Sequence, residues 1–163
     1  MVTSIKGNDT STFGGNIDVP QIITDAPAFS AYLSADQSIS TASFTKIAFD
    51  TEQFDTNSNY DNTTNYRFTP TVEGYYQINS NMAINQSGNI MIELYKNGSW
   101  VVRGMQQYNT ATATRVVNLS YLVYMNGTTD YLEIYGYQSS GTTKNISGSS
   151  RYTNFQAFLA RAV

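Results

Sequence analysis

The sequence predicts an all-β fold of about eight to ten short strands, arranged as an antiparallel sandwich or jelly roll. Three observations predict it. Runs of β-branched and aromatic residues alternate with polar residues, and clusters of Asn, Gly, Asp, Ser and Thr separate those runs. No window keeps a helical period over three turns, so we expect no helix longer than about two turns.

The predicted strands follow one another from residue 28 to the end of the chain, at 28–33, 44–50, 65–68, 74–85, 89–96, 100–103, 116–125, 130–137 and 153–161. In 74–85 the even positions are mostly apolar and the odd positions polar, which indicates one buried and one wet face. In 89–96 the same alternation places Glu93 on the wet face. The dipeptides Asn97-Gly98 and Asn126-Gly127 predict tight turns after two of these strands.

The composition excludes several classes of function. Charged residues make up 13% of the 163 residues, against about 25% in an average protein, whereas Asn, Ser and Thr make up about a third. A net charge of −3 gives no basic surface for nucleic acid. The chain has no Cys and no His, which removes disulfides, the usual zinc ligand sets and His-based catalysis. We therefore expect a non-enzymatic protein without cofactors.

The composition changes near residue 25, which divides the chain into an N-terminal arm (1–25) and a head (26–163). The arm is polar, and Pro20 and Pro27 disfavour helix at its end. We predict that it is extended and anchors the protein to a larger particle through six isolated apolar residues, Ile5, Phe13, Ile17, Val19, Ile22 and Ile23. Its start has one Lys and no apolar run, so we expect no signal peptide, synthesis in a cytoplasm and no membrane partner.

The acidic stretch from Asp50 to Asp61 partly matches a calcium loop. The match fails because Tyr60 stands where the loop requires Gly and Tyr66 where it requires Glu. Asp50/Glu52 and Glu73/Glu93 are the carboxylate pairs that could act together in catalysis. Nothing in the sequence distinguishes either pair from ordinary surface carboxylates. We predict neither a metal site nor a catalytic site, and we interpret the stretch as a loop whose Asn and Asp residues stabilise turns. The alternative is a calcium site with a different set of oxygen ligands.

A series of six motifs, in order, resembles one known family. The motifs are PAFSAYL (27–33), FTKIAFDTEQFD (44–55), YRFTPTVEGYYQINSNMAI (66–84), IMIELYKNGSWV (90–101), DYLEIYGY (130–137) and FQAFLARAV (155–163). The series resembles the globular head of complement component one-q, in the tumour-necrosis-factor-like jelly-roll superfamily. The resemblance implies a ten-stranded jelly roll with adjacent first and last strands, assembled as a homotrimer.

The sequence of the arm indicates the kind of assembly to which the protein belongs. Its segment IKGNDTSTFGGNIDVP (5–20) resembles the connectors that precede heads in bacteriophage fibres. The resemblance implies a virion protein that binds other capsid or tail proteins, either as a capsid decoration or as the head of a short fibre. The alternative is a module of a tail fibre that binds a host surface glycan or receptor.

Outward-facing aromatic residues are the candidate interface. Tyr131, Tyr135 and Tyr137 face away from the inward Leu132 and Ile134, and Phe158 faces away from Phe155 and Leu159. A row of exposed aromatic residues indicates a surface that something covers, either a neighbouring subunit or a ligand. The implied trimer favours the subunit interface for these four residues. Candidate ligand contacts, near the loops 57–64 and 139–150, are Asn57, Asn59, Tyr60 and Trp100.

Overall fold

Eleven antiparallel strands build residues 26–163, which are the residues that this computed structural model describes. The predicted arm and its six apolar residues lie outside them. The strands are β1 (Ala28–Tyr32), β2 (Gln37–Ile39), β3 (Thr45–Lys46), β4 (Thr51–Asp55), β5 (Tyr60–Asp61), β6 (Arg67–Phe68), β7 (Glu73–Lys96), β8 (Ser99–Asn126), β9 (Leu132–Gln138), β10 (Lys144–Ile146) and β11 (Asn154–Ala162). The described part holds no helix long and apolar enough to cross a membrane.

The strands form a sandwich of two layers. The front sheet has the order β4-β1-β11-β7-β8 and uses the first half of β7 and the second half of β8. The rear sheet pairs the second half of β7 with β9 on one side and the first half of β8 on the other, and β9 also pairs with β3 and β6. The predicted antiparallel all-β sandwich is confirmed, and β1 and β11, the first and last strands, are adjacent.

Strands β7 and β8 run through both sheets as one long hairpin. The sequence predicts four strands here, because polar stretches separate the apolar runs. The structure joins them: register shifts at Gln86/Gly88 and Met91/Glu93 let the ladder bend without interruption. Gly88 has a φ of 93°, a backbone conformation that few other residues adopt. The number of strands therefore depends on whether these two are divided at the bend.

The two Asn-Gly dipeptides have different structural roles. Asn97 and Gly98 have φ values of 54° and 73° and form the two-residue turn between β7 and β8. At Asn126-Gly127, by contrast, the chain crosses from the front sheet to the rear sheet, so no hairpin forms there. The side-chain oxygen of Asn126 accepts hydrogen bonds from the backbone N–H groups of Thr128, Thr129 and Asp130, each at 3.0 Å, and this holds the crossover.

Aromatic rings from four strands meet at the centre of the core. The ring of Phe29 lies 4.7 Å from that of Tyr60, 4.5 Å from Phe68 and 4.9 Å from Phe155. Such contacts add to the free energy gained from burial alone. The alternation predicted for 74–85 is confirmed, since Tyr76, Ile78, Met82 and Ile84 are fully buried.

Gly104 lies where the two halves of β8 approach each other, and a substitution there tests how tightly they pack. A Cβ on Gly104 would lie 2.5 Å from the carbonyl oxygen of Asn118 and 2.7 Å from Cβ of Leu119. We expect Gly104→Ala to lower the free energy of unfolding by about 1–3 kcal/mol, because backbone must move to make room. Urea denaturation would measure it. Gly141→Asn is the control, since nothing lies within 4 Å of a Cβ there and Asn tolerates its φ of 85°. Equal stability of both variants would contradict the prediction.

Candidate binding surfaces

Aromatic side chains on the rear sheet's outer face are packed against neighbours from the same chain. The rings of Tyr95 and Tyr135 lie 4.1 Å apart, and those of Tyr137 and Phe44 lie 5.0 Å apart. The guanidinium of Arg67 lies 4.4 Å from the ring centre of Tyr131. We call the outer surface formed by β3, β6, β9 and the rear halves of β7 and β8 the rear face.

Two ion pairs lie among these rings. Glu93 binds Arg103 at 2.7 Å, and its side chain is only 3% exposed, whereas that of Arg103 is 42% exposed. Glu133 binds Lys46 at 2.9 Å, with side chains that are 8% and 31% exposed. In both pairs the carboxylate is covered and the cation reaches solvent.

The strand register explains why Glu93 is buried although its position predicted a wet face. Glu93 lies opposite Arg103 on β8 and opposite Tyr135 on β9, so long side chains cover it from both sides. Burial, and then the charge of Glu93, raise the pKa of the neighbouring Tyr95 hydroxyl. Burial and the charge of Glu133 raise the pKa of Tyr135. Both tyrosines therefore keep their protons at neutral pH.

The front sheet's outer face, the front face, carries a different set of aromatic and apolar side chains. Five of them are between 38% and 51% exposed: Phe54, Tyr75, Leu122, Tyr124 and Phe158. The register places Gln77 between Phe158 and Leu122, and Tyr75 opposite Tyr124. Phe54 and Phe158 also border a depression of about 250 Å³ whose other lining residues include the polar Ser30, Gln53, Asn79 and Gln156. This face combines large apolar groups with amides.

The predicted interface residues therefore divide between two surfaces. Phe158 lies on the front face, while Tyr131, Tyr135 and Tyr137 lie on the rear face and are only half-exposed. Four members of the front face were not predicted from the sequence: Phe54, Tyr75, Leu122 and Tyr124. The alternation that singled out Phe158 also applies to two of them, since Leu122 and Tyr124 alternate with the buried Val123 and Met125.

The candidate ligand contacts fall into two groups. Tyr60 is a core residue whose hydroxyl donates to the carbonyl of Phe49 at 3.1 Å, so its ring is not open to a surface ligand. Asn59 is also buried and donates to the carbonyl of Asn57, at 3.1 Å. The Asn57 backbone N–H donates to Asp55, within the same turn. Trp100 is 59% exposed at the tip of the β7–β8 hairpin and remains available.

The acidic stretch stabilises turns, as its Asn and Asp content indicated. Asp61 accepts hydrogen bonds from the backbone N–H groups of Thr63, Thr64 and Asn65, and these bonds lower the pKa of its carboxyl. Asp50 accepts from the backbone and hydroxyl of Ser34, and Asp55 from the backbone of Asn57 and Tyr60. Across residues 26–163, acidic side chains do not gather in groups of three that could hold a metal ion.

An antiparallel sandwich of two sheets in which the first and last strands are adjacent belongs to the jelly-roll class of proteins. A model of the C1q domain matches residues 28–160, so the chain belongs to the C1q domain family. A search of curated proteins finds no match.

Solved structures show the same fold at low sequence identity. The globular domain of zebrafish complement 1qA protein aligns with a TM-score of 0.62 at 17% identity, covering 85% of this chain and 99% of that one. Eiger TNF from S. frugiperda aligns with a TM-score of 0.64 at 10% identity, covering 85% and 93%. The PRD1 vertex protein P5 aligns with a TM-score of 0.58 at 18% identity, covering 85% and 98%.

A prediction tests the Glu93–Arg103 pair. Arg103→Met leaves a covered carboxylate without its partner, and we expect the free energy of unfolding to fall by about 1–3 kcal/mol. Adding Glu93→Met should restore much of the loss, because a buried pair replaced by apolar residues is often neutral. Thermal and urea denaturation would measure both variants, with Arg151→Met on an exposed loop as the control. An Arg103→Met protein as stable as the control would show that the pair contributes nothing.

Proposed function

We propose that this protein is a trimeric jelly-roll head of a phage virion, anchored by residues 1–25, and that it serves as a capsid decoration or as the head of a short fibre. The role is structural and binding rather than catalytic. Membership of the C1q domain family supports the binding role, and the fold shared with a protein described as a PRD1 vertex protein supports the virion setting.

The front face is the feature that supports a trimeric assembly. Monomeric proteins seldom expose large contiguous apolar patches, and aromatic residues are enriched where subunits meet. Here five large side chains lie on neighbouring strands of one sheet, among amides able to form hydrogen bonds across an interface. A threefold arrangement of three copies would bury this face in a closed ring.

The structure changes which residues we assign to the interface. Phe158 stays, joined by Phe54, Tyr75, Leu122 and Tyr124. Tyr131, Tyr135 and Tyr137 are left out, because they lie on the opposite sheet and are less exposed than the front-face residues. The sequence pattern predicted that something covers these three rings, and side chains of the same chain partly cover them.

Three of the four carboxylates considered for catalysis have structural partners. Asp50 accepts hydrogen bonds from Ser34. Glu73 accepts a hydrogen bond from the hydroxyl of Tyr124, and Glu93 is covered by Arg103. A catalytic pair needs one carboxyl free to reach its substrate. These contacts support a non-enzymatic role.

A prediction separates the front face from the rear face. We expect the wild-type protein to have about three times the 18.1 kDa mass of one chain in light scattering. The double variant Leu122→Asp, Phe158→Asp should be monomeric, because burying unpaired carboxylates costs several kcal/mol. Tyr152→Asp, on an exposed loop, is the matched control and should stay trimeric. If Tyr137→Asp dissociates the trimer and the front-face variant does not, the interface lies on the rear face.

A second prediction concerns the anchor. Deletion of residues 1–25 should leave the head folded and trimeric but abolish its incorporation into particles, because three weak anchors in a trimer act together. Immunoblots of gradient-purified particles would measure incorporation, and circular dichroism would measure folding. The milder variant Ile22→Ser, Ile23→Ser should reduce incorporation without affecting the trimer. Attachment of the truncated protein at wild-type levels would refute the anchoring role.

A further inference from the structure

Two ion pairs on the rear face expose their cations to solvent, although the chain as a whole carries −3. The two carboxylates on this face, Glu93 and Glu133, are almost fully covered, as their ion pairs show. Arg103 and Lys46 expose 42% and 31% of their side chains, and Arg67, which lies over Tyr131 and opposite Asp61, adds a third cation. A ligand that approaches this face therefore meets Arg103 and Lys46, whose counter-charges lie beneath the surface.

These cations are held in fixed positions. The Arg103 guanidinium is bound to Glu93 through two of its nitrogens, with Nε at 2.8 Å and Nη2 at 2.7 Å. The Lys46 ammonium donates to Glu133 and to the carbonyl of Asn65, both at 2.9 Å. Both cations have further N–H groups that can donate to a ligand. A side chain that is already held in place loses less conformational entropy when it binds that ligand. This arrangement favours recognition of an anion.

The aromatic residues show which anion fits. Tyr95 and Tyr135 cover each other's ring faces, and Arg67 covers one face of Tyr131. Trp100, directly opposite Tyr95 on the next strand, keeps an open ring surface. Single-stranded nucleic acid needs a series of open rings for its bases, and the stacked tyrosines do not offer one. A sugar ring needs one open aromatic surface for its C–H face, with donors and acceptors around it for its hydroxyl groups.

We infer that the rear face binds an acidic polysaccharide, with Trp100 against a sugar ring and the cations of Arg67, Arg103 and Lys46 around the sugar carboxylates. The inference deepens the virion role proposed above, for which it supplies a host-surface ligand, and it rests on that role for its biological setting. The rear face lies opposite the proposed trimer interface, so three copies of the site would face outward and act together.

The test uses the full-length protein and its only tryptophan as the reporter. Titration with a galacturonic acid hexamer should change the Trp100 emission in a saturable way, and added salt should weaken the binding because charge attraction contributes to it. A neutral galactose hexamer should bind at least about tenfold more weakly. No emission change with the acidic hexamer, equal binding of the neutral one, or stronger binding of an oligothymidylate would each overturn the inference.

Variants locate the site by calorimetry, which does not depend on the tryptophan. Trp100→Ala and Arg67→Gln should each weaken binding of the acidic hexamer at least about fivefold, because each removes a group that the ligand contacts. The matched controls, Tyr152→Ala and Arg151→Gln, change the same kinds of residue on a distant loop and should bind as the wild type does. Equal losses in the controls would refute the assignment.

Light scattering on the same samples keeps this inference apart from the proposed assembly. A trimer that does not bind the acidic hexamer would refute only the rear-face site. A monomer that binds it would refute only the trimeric head.

Discussion

The ladder between β7 and β8 is the constraint on which the rest of the structure depends. It begins at the Asn97-Gly98 turn and continues, with register shifts, to the pairing of Glu73 with Asn126. Because successive side chains of a strand alternate between faces, the register set by this turn decides which residues enter the core in both sheets. A slip by one position would bring Gln77 and Asn79 inward and expose Tyr76 and Ile78, which the core cannot tolerate.

The same ladder explains why the two outer faces differ in chemistry. In the front half it places aromatic and amide side chains in rows across β11, β7 and β8, without ion pairs among them. In the rear half it places Glu93 directly opposite Arg103, with Tyr135 on the other side. The front face therefore presents large apolar groups and amides, whereas the rear face presents cations paired with covered carboxylates.

Much of the fold could be predicted from the sequence, because alternation is a local signal. The buried faces around Ile78 and Ile134 and the turn at Asn97 all follow from residues close to one another. The burial of Glu93 could not be predicted, since it depends on Tyr135, which only the three-dimensional register brings beside it. Tyr60 was misjudged for a similar reason: its loop composition is polar, but its ring stacks on Phe29, far away in the sequence.

The hairpin also determines the order in which the chain can fold. Its first pairs join residues a few positions apart, such as Lys96 and Ser99, so it can grow from its tip at little cost in loop entropy. The pairing of Ala28 with Phe158, by contrast, joins opposite ends of the described chain and must form late. During synthesis on the ribosome, β1 can pair with β4 early, but its other edge stays unpaired until β11 has emerged, and only then is the front sheet with its apolar surface complete.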